Sequence, residues 1–255
     1  TGAATGVLLT LAQGLLFDKV PAPDDAQIDA ASVAGLARMA KAGVTSIHEA
    51  GMTARDVRAF QTIAAQGRLP IRVVGLLNGN DTALMDEWFE RGIEDDPEDW
   101  LDIRGIKVFF DGSLGSRTAI LHAPYSDRPD AARPTARISF EDMDELGVRA
   151  NERGFQMAVH AIGDAANHVV LTQFERNLLS SETMPDHRWR IEHAQVVDAT
   201  FAERAATLQV IASMQPSHAM GDRPLAEDRV GPTRIKRAYS WKTFQQAGVP
   251  LIFNS

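Results

Sequence analysis

The sequence predicts an α/β fold in which a parallel β-sheet is wrapped by helices. Three observations carry this reading. One pattern, an amphipathic helix, a glycine and a short β-rich run, recurs along the 255 residues. The β-rich runs are almost continuously apolar, as strands are when both faces of a parallel sheet are covered. Histidines and other polar residues gather at the carboxyl ends of those runs, where barrel enzymes place their chemistry. A doubly wound sheet fits the first two observations as well as a barrel does. Seven strands in a chain that reads as a piece of a longer protein favour a (β/α)8 TIM-type barrel lacking its first strand.

The elements follow in order. An amphipathic helix over 31–42 leads through Gly43 into a strand at 44–48. Thr53 can cap a helix whose Val57, Phe60, Ile63 and Ala64 share one face and which ends near Gly67. Strands at 71–77 and 105–110 come next, then a long proline-rich loop over 111–137 of the kind that forms lids or pocket walls. Ser139 caps a helix over 140–153 that stops at Gly154 before a strand at 155–160. Strands at 188–193 and 208–214 follow, and a helix over 234–247 stops at Gly248 before the last strand at 249–254. Glycine just past a helix end accommodates the left-handed turn that a β-carbon resists. No linker divides the pattern, so residues 1–255 read as a single, incomplete barrel domain.

Composition narrows the function. The formal net charge is −8 with no basic stripe, which argues against a nucleic-acid partner. There is no cysteine, so disulfides, thiolate ligands and a cysteine nucleophile are excluded. Any metal would be held by histidine, carboxylate or modified lysine. The longest apolar stretch, near 6–17, is too short and interrupted for a membrane span and lacks the basic start of a signal peptide. The expected location is the cytoplasm, with no membrane partner.

Lys107 stands inside the apolar strand Ile106-Lys107-Val108-Phe109-Phe110, which runs into Asp111-Gly112-Ser113. A buried ammonium must pair or lose its proton, and a neutral lysine can take up carbon dioxide as a metal-ligating carbamate. His160 and His193 end two later strands, and with Lys107 they form the candidate metal set. For Lys107 the alternatives are a snorkelling side chain or an ion pair with Asp111, which alternation places on the same face. His48 and His218 are candidates for holding a substrate carbonyl or stabilising an oxyanion. Asp111, Arg117 and Gln215 are candidate substrate contacts, Arg117 through a carboxylate or, alternatively, as an anchor of its own loop. Asp164 is placed to cap the following helix. His122, His168 and His187 carry no assigned function.

The strings GVTSIHEAG (43–51), IKVFFDGSLGSRTA (106–119), MAVHAIGDAAN (157–167), RIEHAQ (190–195) and ASMQPSH (212–218) resemble the amidohydrolase superfamily. Within it they are similar to the amidohydrolase-3 branch, which includes N-substituted formamide deformylases. The resemblance runs from near Thr5 to Ser255. It implies a hydrolase of carbon–nitrogen bonds in small amide-like substrates, using water activated by one or two divalent ions, zinc first among them. Lys107 would then be the lysine, often carboxylated, of the fourth barrel strand, and His160 and His193 the ligands of the fifth and sixth. Glu49 stands where relatives commonly have aspartate. No His-x-His pair of the first strand occurs in this sequence, and the expected catalytic aspartate would follow Ser255 directly. Two rival expectations therefore stand beside the hydrolase. One is an inactive fragment whose open sheet edges favour homo-oligomers. The other is a barrel enzyme that uses Lys107 to form a Schiff base.

Overall fold

The computed structural model describes residues 13–180 and 186–255, together with Gly6 and Leu8; most of the apolar stretch 6–17 lies outside them. After a short helix α1 (Gly14–Phe17), helix α2 (Asp25–Lys41) begins at a capping box in which Asp24 and Gln27 satisfy each other's backbone amides. Strand β1 (Ser46–Met52) follows, and Thr53 with Asp56 makes a second capping box for α3 (Ala54–Ala65). Val57, Phe60 and Ile63 of α3 are buried, the stripe that its periodicity predicts.

Next come β2 (Arg72–Asn78), α4 (Thr82–Arg91) and β3 (Leu101–Phe109). The loop after β3 leads to α5 (Phe140–Glu152), capped by Ser139, then β4 (Gln156–Ala161) and α6 (Asp164–Leu179). The chain closes through β5 (Arg190–His193), α7 (Phe201–Leu208), β6 (Ile211–Met214), α8 (Pro216–Asp222), α9 (Ala226–Arg234), α10 (Trp241–Ala247) and β7 (Leu251–Phe253). Gly154 and Gly248 sit at φ 77° and 81°, the left-handed conformation expected past a helix end.

All seven strands are parallel and pair in chain order, β1 to β7. The sheet is curled: Arg190 on β5 reaches across its concave side to His48 on β1, Nη2 to Nδ1 3.2 Å. This is the predicted barrel with one strand position open between β1 and β7. The convex side carries the core, where Trp189, Phe155 and Phe174 are fully buried and Trp189 Nε1 donates to Phe155 O at 3.1 Å. The concave side carries charge, because Arg190 and Glu192 alternate with apolar Trp189 and Ile191. At β7, on the open side, Phe253 is 57% exposed.

One predicted helix is broken. Instead of a continuous helix over 234–247, α9 ends at Arg234, a 3-10 turn covers Ile235–Arg237, and α10 starts at Trp241. The interruption has a tertiary cause. Val197 N donates to Arg237 O and Tyr239 N to Gln195 O, which pulls 237–239 against the segment after β5 and leaves Tyr239 at φ 54°.

The loop after β3 is folded tightly against the sheet end. Leu114, Leu121 and Tyr125 form a second apolar cluster with Ile162, Val196 and Val230. Gly163 is essential to this packing, because a β-carbon there would lie 1.9 Å from the carbonyl oxygen of Ile120. Gly163→Ala is expected to destabilise the fold by roughly 1–3 kcal/mol, since backbone cannot step aside as a side chain can. Gly35 in α2 has open space around it, so Gly35→Ala should be neutral or stabilising by about 0.5–1 kcal/mol. Denaturant midpoints of the two variants check this contrast.

Candidate functional site

β3, β4 and β5 bring Lys107, His160 and His193 together at the carboxyl end of the sheet. In register, Phe109 pairs with His160, and Ala161 with His193. The rings of His160 and His193 stand 4.6 Å apart, edge to face. His193 and the following Ala194 have φ of 79° and 39°, a left-handed step that re-aims the ring at the end of β5. Such backbone is costly for residues with a β-carbon and persists only where its surroundings hold it.

The two histidines are held in opposite tautomers. His160 Nε2 donates to Gly112 O at 2.9 Å and lies 3.3 Å from Asp111 Oδ1. Both neighbours are acceptors, so Nε2 carries the proton and Nδ1 keeps a free lone pair. His193 Nδ1 lies 2.6 Å from Gln215 Oε1. The orientation of Gln215 follows from a chain of bonds that starts at a carboxylate. Glu192 accepts from Ser213 Oγ, whose oxygen accepts from Asn254 Nδ2 at 2.6 Å. Asn254 Oδ1 then accepts from Gln215 Nε2, which turns Gln215 Oε1 towards His193. His193 Nδ1 is therefore the donor, and Nε2 keeps the lone pair. Burial, with His160 and Lys107 nearby, lowers the His193 pKa to about 3, so the ring is neutral throughout the physiological range.

Lys107 is 5% exposed and lies over the Phe109 ring, with Nζ 4.6 Å from its centroid. Among the described residues no carboxylate lies within ion-pairing distance of it, so the pair with Asp111 does not form. Burial lowers its pKa to about 8, with Glu192 opposing and Arg190 reinforcing the shift. At pH 7 about a tenth of such a lysine is neutral. Glu192 is itself pushed up by burial, yet Arg190, Ser213 and Lys107 outweigh this and keep it below its ordinary value.

The lowered lysine pKa links to stability. Between pH 8 and the ordinary lysine pKa the unfolded chain binds the proton that the native chain has released, so stability rises with pH across that window. Below about pH 8 both states are protonated and the full cost of the buried ammonium is present. Unfolding of the metal-free protein across pH 7 to 10 should show this rise, and the Lys107→Met variant should lack it.

The remaining candidates divide. His218 on α8 stacks on His193, with ring centroids 5.3 Å apart and planes at 16°, and so stands beside the site. His48 is bound to Arg190 across the concave face, and reduced hydration together with the Arg190 charge lowers its pKa. Asp111, offered by the sequence as a substrate contact, is instead filled by backbone: its oxygens accept from Ile120 N, Ile162 N and Gly163 N at 2.9–3.0 Å. It sits at the amino end of α6, where an anion is favoured. Arg117 turns away into a two-pronged pair with Asp127, at 2.7 and 3.2 Å, and so anchors its own loop. Gln215 faces His193 and not open space. Glu192 and Asn254 were not singled out from the sequence; the alternation of Arg190 and Glu192 along β5 is the signal that could have found the first of them.

A cleft of about 790 Å³ opens beside the histidines, over the ends of β1, β2 and β3. Gly51, Asn78, Phe109 and Gly112 line it, and 133–137 of the long loop form one wall. It does not enclose His160 or His193, but it meets His160 through Gly112 and through Phe109, whose ring is 5.7 Å from that of His160.

A protein-family model described as the amidohydrolase family, of the Amidohydro_3 type, matches residues 1–255. The chain belongs to the amidohydrolase family. It is 32% identical to YtcJ of Bacillus subtilis (strain 168) over 97% of this chain and 46% of that protein. It is 26% identical to the N-substituted formamide deformylase of Arthrobacter pascens over 70% of this chain and 33% of that protein. An uncharacterized metal-dependent hydrolase from Pyrococcus horikoshii OT3 superposes with a TM-score of 0.82 at 28% identity, covering 96% of this chain and 47% of that one. A second, from Pyrococcus furiosus, gives 0.81 at 30% identity, covering 96% and 49%. This amidohydrolase chain thus spans about half the length of the relatives it matches. Among its described residues no helix is long and apolar enough to cross a membrane.

Proposed function

We propose that this chain supplies the lysine and two of the histidines of a metal centre in a hydrolase that cleaves a carbon–nitrogen bond of a small, non-peptide amide. The observation that carries this reading is the pair of imidazoles anchored through opposite ring nitrogens. His160 presents Nδ1 and His193 presents Nε2, each with its other nitrogen fixed by a protein acceptor, as metal-ligating histidines are. Lys107 completes the set as a carbamate. Its neutral amine adds to carbon dioxide and loses a proton, which converts an unpaired buried cation into an anion beside the two rings. The donor set of nitrogen and carboxylate-like oxygen suits zinc. Such an ion would polarise the amide carbonyl and activate water for attack on it.

The chain's own residues have further tasks. Gln215, oriented through Asn254 and Ser213, holds the His193 tautomer. Asp111 fixes the turn that carries Gly112 O to His160. His218, stacked on His193, is placed to donate to a substrate carbonyl oxygen. The cleft beside Phe109 admits the substrate. The similarity to an N-substituted formamide deformylase supports a substituted amide as substrate.

The test is a panel of N-substituted formamides and related amides offered to the zinc-loaded complete protein, read by amine release. Amine release that disappears in His193→Ala supports the assignment. A lowered lysine pKa also suits Schiff-base chemistry, so borohydride trapping of a carbonyl compound on Lys107 would move the assignment to that reaction.

A further inference from the structure

Away from the strand-end centre, three side chains from three segments converge on the rim of the sheet's carboxyl face. His122 comes from the loop after β3, His168 from the first part of α6, and Asp198 from the segment after β5. One donor atom from each lies within 4.8 Å of the other two. We propose that His122, His168 and Asp198 form a second divalent-cation site, suited to zinc or nickel, that ties the long loop to α6 and the β5–α7 segment.

The anchoring of each residue favours this over chance proximity. The His122 amide donates to Asp164 Oδ1 at 2.9 Å, which fixes the loop against the start of α6. Asp198 uses Oδ1 to accept from Thr200 N and Oγ1, both at 2.8 Å, so Oδ2 is the oxygen turned to the cluster. His168 Nδ1 meets that Oδ2 at 2.7 Å. The His122 ring stands edge to face with the His168 ring, centroids 5.6 Å apart.

A plain surface hydrogen bond accounts for His168 and Asp198 alone. It leaves unexplained why a second imidazole stands against the pair, and among the described residues the His122 ring has no hydrogen-bond partner. Around a tetrahedral zinc with bonds of about 2.0–2.1 Å the ligand atoms lie roughly 3.3 Å apart. Small rotations of the side chains close the observed spacing to this value; the His168 side chain is 44% exposed and free to turn. Imidazole and carboxylate suit borderline divalent ions better than calcium or magnesium, and solvent would fill the remaining position. The site is chemically distinct from the strand-end centre because it holds a carboxylate and no lysine.

The test is calorimetric titration of Zn²⁺ into the complete protein at pH 7.5, after exhaustive dialysis against metal-free buffer. His122→Ala and His168→Gln are titrated alongside; the glutamine preserves a hydrogen bond to Asp198 but not the ligand. We expect one further zinc site in the parent, weakened at least about tenfold in both variants, with the tightly retained metal and amine-releasing activity unchanged. The proposal is overturned if the parent shows no further site, if both variants bind as the parent does, or if only one is affected. Failure of the strand-end assignment would appear separately, as no retained metal in the parent before titration.

Discussion

Lys107→Met is expected to do two opposite things: stabilise the metal-free protein and sharply lower the amide hydrolysis proposed for it. The stabilisation follows from the cost of burying an ammonium with no carboxylate in contact. The displacement of its pKa from 10.5 to about 8 corresponds to a cost on the order of 3 kcal/mol below pH 8. Methionine fills nearly the same volume against Phe109 and carries no charge, and replacing poorly compensated buried charge by apolar atoms is often neutral or favourable. The gain should therefore appear at pH 7 as a higher unfolding midpoint and shrink towards pH 10. The loss of activity follows because methionine can neither add carbon dioxide nor supply an anion. Removing this proposed ligand is expected to lower kcat/KM by roughly a thousandfold, about 4 kcal/mol of lost transition-state stabilisation. A variant that is destabilised and still active would show that Lys107 has only a packing role.

Gln215→Leu is expected to weaken metal binding by about 10–100-fold while the fold is kept. Leucine removes the acceptor that holds the proton on His193 Nδ1. The imidazole is then free to carry its proton on Nε2, the nitrogen proposed to hold the metal, and the ring loses one constraint on its orientation. Gln215→Glu is the discriminating companion, because a carboxylate still accepts from Nδ1 and should restore most of the affinity. If the role of Gln215 were to touch substrate alone, both variants would change KM and leave the metal content of dialysed protein unaltered. Asn254→Ala should produce a weaker version of the leucine result, since it loosens the orientation of Gln215 without removing the acceptor.

Much of the scaffold was legible in the sequence because its signals are local. Near-continuous apolar runs, helix caps at Thr53 and Ser139, and glycines at 154 and 248 each report on a few neighbouring residues. The strands at the site fall within a few residues of their predicted places, and with them the strand-end positions of His160 and His193. What the sequence hides is direction. Asp111, Arg117 and Gln215 have the residue types of substrate contacts, yet all three serve neighbours, and only the packing of separate loops shows which way each points. The break before α10 is hidden for the same reason: helical periodicity over 234–247 is overridden by bonds from Gln195 and Val197, forty residues away. The φ of 79° at His193 is only weakly signalled in the sequence, since histidine is enriched at positive φ but still adopts it in a small minority of positions.

The open side of the sheet has a consequence for any experiment on this chain alone. β1 and β7 present outer edges that pair with no strand among the described residues, and exposed Ile252 and Phe253 lie beside one of them. Such edges recruit other strands. We expect concentration-dependent association of the isolated chain, visible by sedimentation and reduced in Phe253→Lys.

A metal ion held between Lys107, His160 and His193, as proposed, would be located by anomalous X-ray scattering at the zinc edge from crystals of the zinc-loaded complete protein. We expect a peak about 2.0–2.1 Å from both His160 Nδ1 and His193 Nε2, with density for a carboxylated Lys107 reaching it. No peak at that position, or a zinc held through His160 Nε2 or His193 Nδ1, would contradict it.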